Sequence, residues 1–182
     1  GETSSTQATF PDGNGFNAVP GFDRTHNGGV DAFVAKVNAD GTALLYATFI
    51  GGSENDRGKG IALQPGESGC PPACSVYIVG ETNSTQATFP TTTGPDLTHN
   101  GSVDAFVAKI DPTGTMLVYA GYVGGSEDDR GNGIAVDGIG NCLVTGQFTG
   151  PASFGNTNLA GIGGLDVFVA KYNPSGNVVW AT

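Results

Sequence analysis

The sequence has few basic residues and no long apolar run. Lysine and arginine supply 7 of 182 residues against 17 aspartates and glutamates, so the formal net charge is −10. Nucleic-acid phosphates and anionic membrane surfaces are both bound by clustered lysine and arginine. A membrane-spanning helix needs roughly 20 consecutive apolar residues, and no run approaches that length. We therefore expect neither nucleic-acid binding nor membrane insertion.

The sequence also lacks the common catalytic motifs. It has no Gly-x-Ser-x-Gly turn, no serine or cysteine with an evident histidine partner, and no glycine-rich phosphate loop leading into a helix. Carboxylates are numerous, but their spacing pairs none of them for glycoside chemistry. We predict that the chain is not an enzyme and holds no organic cofactor.

Cysteine is scarce, with three residues. Cys70 and Cys74 flank Pro-Pro-Ala, and we predict a local disulfide between them, which suits an oxidising compartment. Their separation is short for disulfide geometry, and a single CxxxC pair without a nearby histidine is weak support for zinc. Cys142 lies in an apolar strand pattern and is expected to be a small buried residue.

Two phrases recur at a fixed distance. Asp31–Lys36 (Asp-Ala-Phe-Val-Ala-Lys) returns as Asp104–Lys109 and, with one change, as Asp166–Lys171. Gly51–Leu63, which begins Gly-Gly-Ser-Glu, returns as Gly124–Val136. For both motifs, the second copy begins 73 residues after the first. A fixed long period indicates a repeat architecture.

The sequence pattern predicts four short strands in each repeat. The apolar runs are bounded by glycine, asparagine, aspartate and proline, and no run has helical periodicity. The connectors 38–42, 111–115 and 173–177 hold a glycine at the same place, which predicts a hairpin turn closed by a residue of positive φ. The fold class is all-β, and the best match is a β-propeller-type repeat of four-stranded antiparallel blades.

The combined motifs resemble the bacterial seven-bladed β-propeller (SBBP) repeat family. Residues 131–147, 89–90, 104–109 and 114–131 carry this resemblance, which extends over nearly the whole chain. It implies a four-stranded blade found in secreted and cell-surface bacterial proteins. It implies no catalytic residue that could be assigned here.

The repeats divide the chain into about two and a half blades. Residues 1–50 form a partial blade (a long loop plus two outer strands), 51–123 a complete blade, and 124–182 a blade whose last strand is truncated. Closed propellers have about 4 to 8 blades. We therefore expect either a window of a longer protein or an assembly in which further copies join through open strand edges.

The acidic connectors are the candidate calcium sites, because calcium takes carboxylate and backbone oxygens. The candidate ligands are Glu54, Asp56, Glu127, Asp128 and Asp129. The alternative is that the two aligned aspartates, Asp56 and Asp129, cap turns. Neither connector has the spacing of an EF-hand loop.

Arginine and histidine also occupy equivalent positions in the repeats. In the turn-cap alternative, Arg57 and Arg130 bridge to Asp104 and Asp166 of the adjoining blade. His26 and His99 both lie in Thr-His-Asn before a strand, and their use in the loop is favoured over metal binding because no ligand partner is evident.

The long segments 3–29, 82–102 and 147–164 vary most between the repeats. They are rich in serine, threonine, asparagine and glycine, and variable loops on a rigid scaffold are where binding usually resides. Candidate glycosylation sites in the second segment are Asn83, Asn100, Thr91, Thr92 and Thr93.

These observations predict a secreted or cell-surface structural or adhesive protein whose partners are further copies of itself and cell-surface glycans or proteins. One alternative is a carbohydrate-binding module. Its candidate sugar-stacking residues are Phe16, Phe22, Phe89 and Phe154. The other is a fragment of a propeller lyase or hydrolase, which would require an acid/base cluster at the axial face.

Overall fold

The computed structural model describes residues 1–10, 19–65 and 73–182, and these residues form strands and turns with no helix among them. The all-β prediction is therefore confirmed. The strands are β1 (Glu2–Thr3), β2 (Asp31–Val37), β3 (Leu44–Ile50), β4 (Asp56–Leu63), β5 (Val76–Thr82), β6 (Asp104–Ile110), β7 (Leu117–Gly125), β8 (Arg130–Val136), β9 (Cys142–Thr149), β10 (Ala152–Phe154), β11 (Thr157–Leu159), β12 (Leu165–Tyr172) and β13 (Val178–Ala181).

The strands form three antiparallel sheets in chain order. Sheet 1 has the order β1-β2-β3, sheet 2 the order β11-β10-β7-β6-β5-β4, and sheet 3 the order β13-β12-β9-β8. Strands β4 to β7 pair with their sequence neighbours, as the four-strand repeat predicts. The Asp-x-Phe-Val-Ala-Lys phrase is the third strand of each unit.

The third and fourth strands of each unit are joined by the predicted hairpin turn. The turn glycines Gly41, Gly114 and Gly176 have φ values of 69°, 74° and 83°, a region that side-chain-bearing residues avoid. The strand register shifts next to the phrase lysine in all three hairpins. The positive φ and the bulge are therefore repeated features of the turn.

Two apolar cores lie between successive sheets. We call the side of a sheet that looks toward the preceding sheet its near face and the other side its far face. Ala32, Val34 and Tyr46 on the far face of sheet 1 pack against the near face of sheet 2, which includes Phe106 and Ile110. The far face of sheet 2 packs in the same way against the near face of sheet 3. Burial between sheets thus holds the repeats together.

The long segments are not simple loops, which corrects the expectation for 147–164. That segment forms β10 and β11, and β10 pairs with Gly124 and Gly125 at the outer edge of sheet 2. Earlier segments follow outer edges too, since Ala47 N donates to Pro20 O at 3.1 Å and Tyr122 N donates to Asp96 O at 2.8 Å. The outer edges of β3 and β7 are therefore partly covered, which limits the predicted joining of copies through strand edges.

Candidate functional site

The connectors between sheets and the long segments meet on one side of the molecule, which we call the connector face. Ser53 N donates to Thr88 Oγ1 at 3.1 Å, and Glu54 N donates to Ser84 Oγ at 3.0 Å. The connector between sheets 1 and 2 is thereby tied to the segment that follows β5. The long segments on this face vary most between the repeats, so this face is the candidate functional site.

Asp56 holds its connector in shape from a buried position. Its Oδ2 accepts hydrogen bonds from Gly52 N at 2.7 Å and from Ser84 Oγ at 2.9 Å. Its Oδ1 accepts a short hydrogen bond from Thr82 Oγ1. The alternative that Asp56 caps a turn is confirmed, and both oxygens of this carboxylate already have protein donors.

Asp129 occupies the equivalent place with fewer partners. Its Oδ2 accepts from Gly125 N at 2.6 Å, whereas its buried Oδ1 has no hydrogen-bond partner among the described residues. The positions equivalent to Thr82 and Ser84 are Phe148 and Gly150, which carry no hydroxyl. Burial and, to a lesser degree, the charge of Asp104 raise the pKa of Asp129 to about 6.

The first residue of the thrice-repeated phrase closes the loop in front of it. Asp31 accepts a hydrogen bond from the backbone N–H of Asn27 at 2.8 Å, and Asp104 accepts one from Asn100 at 2.8 Å. In the third repeat, Asp166 accepts one from the residue at the same offset, at 2.7 Å. Sequence reasoning treated the phrase as a strand and missed this role, although the constant aspartate was its signal.

The predicted bridges from Arg57 and Arg130 to aspartates of the adjoining blade, Asp104 and Asp166, are wrong. Arg57 pairs with Glu2 at 3.4 Å, and Arg130 pairs with Glu81 at 3.2 Å and with Asp128 at 3.2 Å. The glutamates lie at the end of the second strand of the preceding sheet. These aspartates were unsuitable partners because Asp104 and Asp166 already accept the backbone hydrogen bonds that close their loops.

The two histidines support loops in separate repeats. The backbone N–H of His26 donates to Gln7 Oε1, and that of His99 donates to Gln86 Oε1, both at 3.1 Å. Their rings lie edge-on to Phe49 and Tyr122 in the respective fourth strands. Loop use is therefore the role that the geometry supports.

A groove of about 330 Å³ opens on the connector face. It lies between the segment holding Asp96 and Asn100, the connector after β7, and the β10–β11 hairpin. Its polar lining includes Asp96, Asn100, Ser126, Ser153 and Asn158, and none of its lining residues is aromatic. The groove combines elements of two repeats.

A protein of Acanthamoeba polyphaga mimivirus, the uncharacterized WD repeat-containing protein L264, is 31% identical to this chain over 88 residues. The match covers 44% of this chain and 6% of the length of that protein. No family model matches the chain. The stacked antiparallel sheets and this similarity agree on one architecture. The chain is a β-propeller-type repeat protein.

The calcium candidates of this propeller-type repeat do not converge on one centre. Glu54 and Asp56 belong to one connector, and the other three belong to the next. Within residues 1–10, 19–65 and 73–182, no group of three or more aspartate, glutamate, histidine or cysteine side chains could hold a metal ion. Calcium binding here has no geometric support from the described residues and stays a prediction.

The predictions for the cysteines and for glycosylation have mixed outcomes. Cys74 is disulfide-bonded and Cys142 is a buried free thiol, while Cys70 lies outside the described residues.

The Nδ2 atom of Asn83 donates to Ser102 O at 2.7 Å, and that of Asn100 donates to Asp96 Oδ2 at 3.1 Å. Both amide nitrogens are engaged, whereas the side chains of Thr92 and Thr93 lie at exposed positions and that of Thr91 is half-buried. Glycosylation at all these positions stays a prediction.

Two of the four aromatic residues predicted to stack on sugars, Phe89 and Phe154, are buried in the blades. Phe89 is 3% exposed and Phe154 is 1% exposed, and both belong to the cores between sheets. Phe22 is half-buried, and Phe16 lies outside the described residues. The rings of Phe89 and Phe154 are thus inaccessible to a sugar. In the part of the chain that the structure describes, no helix is long and apolar enough to cross a membrane.

Replacing Asp129 by asparagine is expected to raise the free energy of unfolding at about pH 7 by about 1–2 kcal/mol. The native carboxyl keeps its proton up to about pH 6, whereas an unfolded aspartate releases it near about pH 4. Its contribution to stability is complete below about pH 4 and is lost as the pH rises through about 6. Urea unfolding across this range should show a decline for the wild type that is smaller for the variant.

Asp128→Asn is the matched control, because it removes the same charge from the neighbouring residue. The Asp128 side chain is 42% exposed and pairs with Arg130 at 3.2 Å, so its loss should change stability by less than about 0.5 kcal/mol. An equal gain in both variants, or a less stable Asp129→Asn protein, would contradict the assignment of the effect to burial of Asp129.

Proposed function

We propose that this chain is a non-enzymatic structural and adhesive repeat protein that works outside the cell and contacts a ligand through the groove of the connector face. The observation that supports this proposal is that repeated polar residues stabilise the scaffold, whereas one wall of the groove is the β10–β11 hairpin, which belongs to a segment that differs between repeats. Asp31, Asp56 and Asp104 close loops, and Arg57 and Arg130 join sheets. Rigid elements that present variable polar segments are typical of binding surfaces.

The extracellular placement rests on the disulfide of Cys74, because disulfides persist in oxidising compartments. The bacterial seven-bladed repeat type is part of the same proposal and rests on the resemblance of the motifs. A maleimide probe applied to freshly lysed source cells tests the placement. Protection of Cys74 until a reductant is added supports it, and immediate labelling of Cys74 would contradict it.

The adhesive role is tested by binding of the purified protein to immobilised mucin, fibronectin and bacterial cell-wall preparations. We expect saturable binding to at least one of these surfaces. Asn158→Arg places a long charged side chain in the groove and should weaken that binding at least about tenfold. Ser175→Arg is the matched control, since Ser175 is exposed in a hairpin turn and is not among the residues that line the groove.

Two results would contradict this assignment. The first is an absence of saturable binding above an albumin control on all three surfaces. The second is an equal loss of binding in Asn158→Arg and Ser175→Arg, which would place the contact away from the groove. Circular dichroism of both variants should match the wild type, because both substitutions are at exposed positions.

A further inference from the structure

The far face of sheet 3 is an apolar surface that no other sheet of the described residues covers. It carries Leu143 on β9, Val167 and Val169 on β12, and Trp180 on β13. The register aligns Val167 with Gln147 and Trp180 with Lys171, so these side chains share one side of the sheet. Its equivalents in sheets 1 and 2 are the faces that the next sheet covers.

The exposed fractions of equivalent side chains show the difference between the covered far faces of sheets 1 and 2 and the uncovered far face of sheet 3. Ala32 and Ala105 are 1% and 0% exposed, whereas Val167, at the same place in the phrase, is 81% exposed. Tyr46 and Tyr119 are likewise buried, whereas the equivalent Trp180 is 39% exposed. Sheet 3 therefore presents the same pattern of apolar positions that sheets 1 and 2 use to bind a following sheet.

The near face of sheet 1 carries apolar side chains that no preceding sheet of the described residues covers. Val37 is 56% exposed, whereas its equivalents Ile110 and Tyr172 are fully buried against a preceding sheet. Ala35 is exposed and Phe33 is half-buried on the same face. These side chains are the positions that sheets 2 and 3 use to bind a preceding sheet.

The hairpin glycines show how closely the two kinds of face fit. Gly114 lies against the ring of Tyr46, so closely that a Cβ atom on this glycine would overlap the ring. Gly176 lies against the Tyr119 ring in the same way, where a Cβ atom would come within 3.0 Å of it. No atom of the described residues lies within 4 Å of the Cβ position of Gly41. Among the described residues, no aromatic ring packs against Gly41, and no glycine turn covers the ring of Trp180.

We propose that the far face of sheet 3 binds the near face of sheet 1 in a second copy of this chain, with Trp180 covered by the Gly41 turn. The occupant is a second copy because this chain already forms this type of contact twice, between sheets 1 and 2 and between sheets 2 and 3. The contact is heterologous, so it extends head to tail into a ring or a filament. It uses sheet faces rather than strand edges and is independent of the groove on the connector face.

Sedimentation velocity between about 5 and about 500 µM tests the proposal, because an interface of part of a sheet face is expected to be weak. We expect the weight-average mass to rise above the 18.3 kDa of the monomer as the concentration increases. Trp180 is the sole tryptophan, so its emission should shift to the blue over the same range. A protein that stays monomeric at all concentrations would overturn the proposal.

Two variants test the two faces separately. Val167→Lys and Val37→Lys each place a charge on one face and should each remain monomeric. Mixing them should produce a species of twice the monomer mass that grows no further, because each variant keeps one intact face. Failure of the mixture to associate, or association of either variant alone, would overturn the head-to-tail arrangement.

Ile139→Lys is the matched control for both variants. Ile139 is 75% exposed in the turn between β8 and β9, outside the strands that form both faces, so this variant should associate like the wild type. Loss of association in this control would attribute the effect to added charge and would overturn the assignment of the interface.

Discussion

Replacing Phe89 by alanine is expected to lower the free energy of unfolding by about 3–4 kcal/mol, the usual effect of removing a buried phenylalanine ring. The ring is 3% exposed, and its centroid lies 5.2 Å from that of Phe106 and 5.4 Å from that of Tyr122. It shares a core with Tyr46 and Ile50 of the preceding sheet. The substitution therefore removes contacts within one repeat and between two repeats.

Urea and thermal unfolding measure the effect, and a melting temperature lower by about 10 °C is expected for a chain of this size. Leu97→Ala is the control, because Leu97 lies in the same long segment and is 45% exposed. Its loss should change stability by less than about 1 kcal/mol. Equal effects of the two variants would show that the segment is not anchored through Phe89.

The strands were predictable from the sequence because their apolar residues alternate between turn signals that recur. The hairpin glycines illustrate this, since Gly41, Gly114 and Gly176 were expected at positive φ from their fixed place alone. Strand order followed from the four-strand repeat, because the sequential strands of one propeller-type blade pair as neighbours. The same pattern of residues occurs three times, so each copy supports the prediction of the same local structure.

The partners of charged residues were not predictable in the same way. The sequence aligned Arg57 with Arg130 but gave no distance from either residue to Glu2 or Glu81, which lie on the preceding sheet. The short strands β10 and β11 were missed because three-residue strands carry too few residues to show a period. Their pairing with the outer edge of sheet 2 depends on how two repeats are placed, which local patterns do not encode.

The candidate site was predictable only as a region. Asp56 and Asp129 stand at matching positions, yet in the part of the chain that the structure describes one carboxylate has three donors and the other leaves one oxygen without a partner. The difference depends on the residues that take the places of Thr82 and Ser84 in the next repeat. A comparison of equivalent positions in strand two would have found it, because the loss of both hydroxyls is visible in the sequence.

Replacing Gly114 by alanine is expected to lower the free energy of unfolding by about 3 kcal/mol, the sum of two separate effects. A side chain at φ 74° adopts a left-handed backbone conformation, which costs about 1 kcal/mol. The added methyl group would also overlap the buried ring of Tyr46 on sheet 1, and such overpacking typically costs 1–3 kcal/mol. Urea unfolding at a concentration of about 1 µM measures the effect on the isolated chain.

Gly41→Ala separates the two effects, because the chain supplies the same turn without the contact. Gly41 has φ 69° and no atom of the described residues within 4 Å of its Cβ position, so its substitution should cost about 1 kcal/mol from the backbone alone. The difference of about 2 kcal/mol between the variants is then the contribution of close packing between successive sheets. Equal losses would contradict the tight contact between the turn and Tyr46, and with it the fit between sheet faces on which the assembly of copies depends.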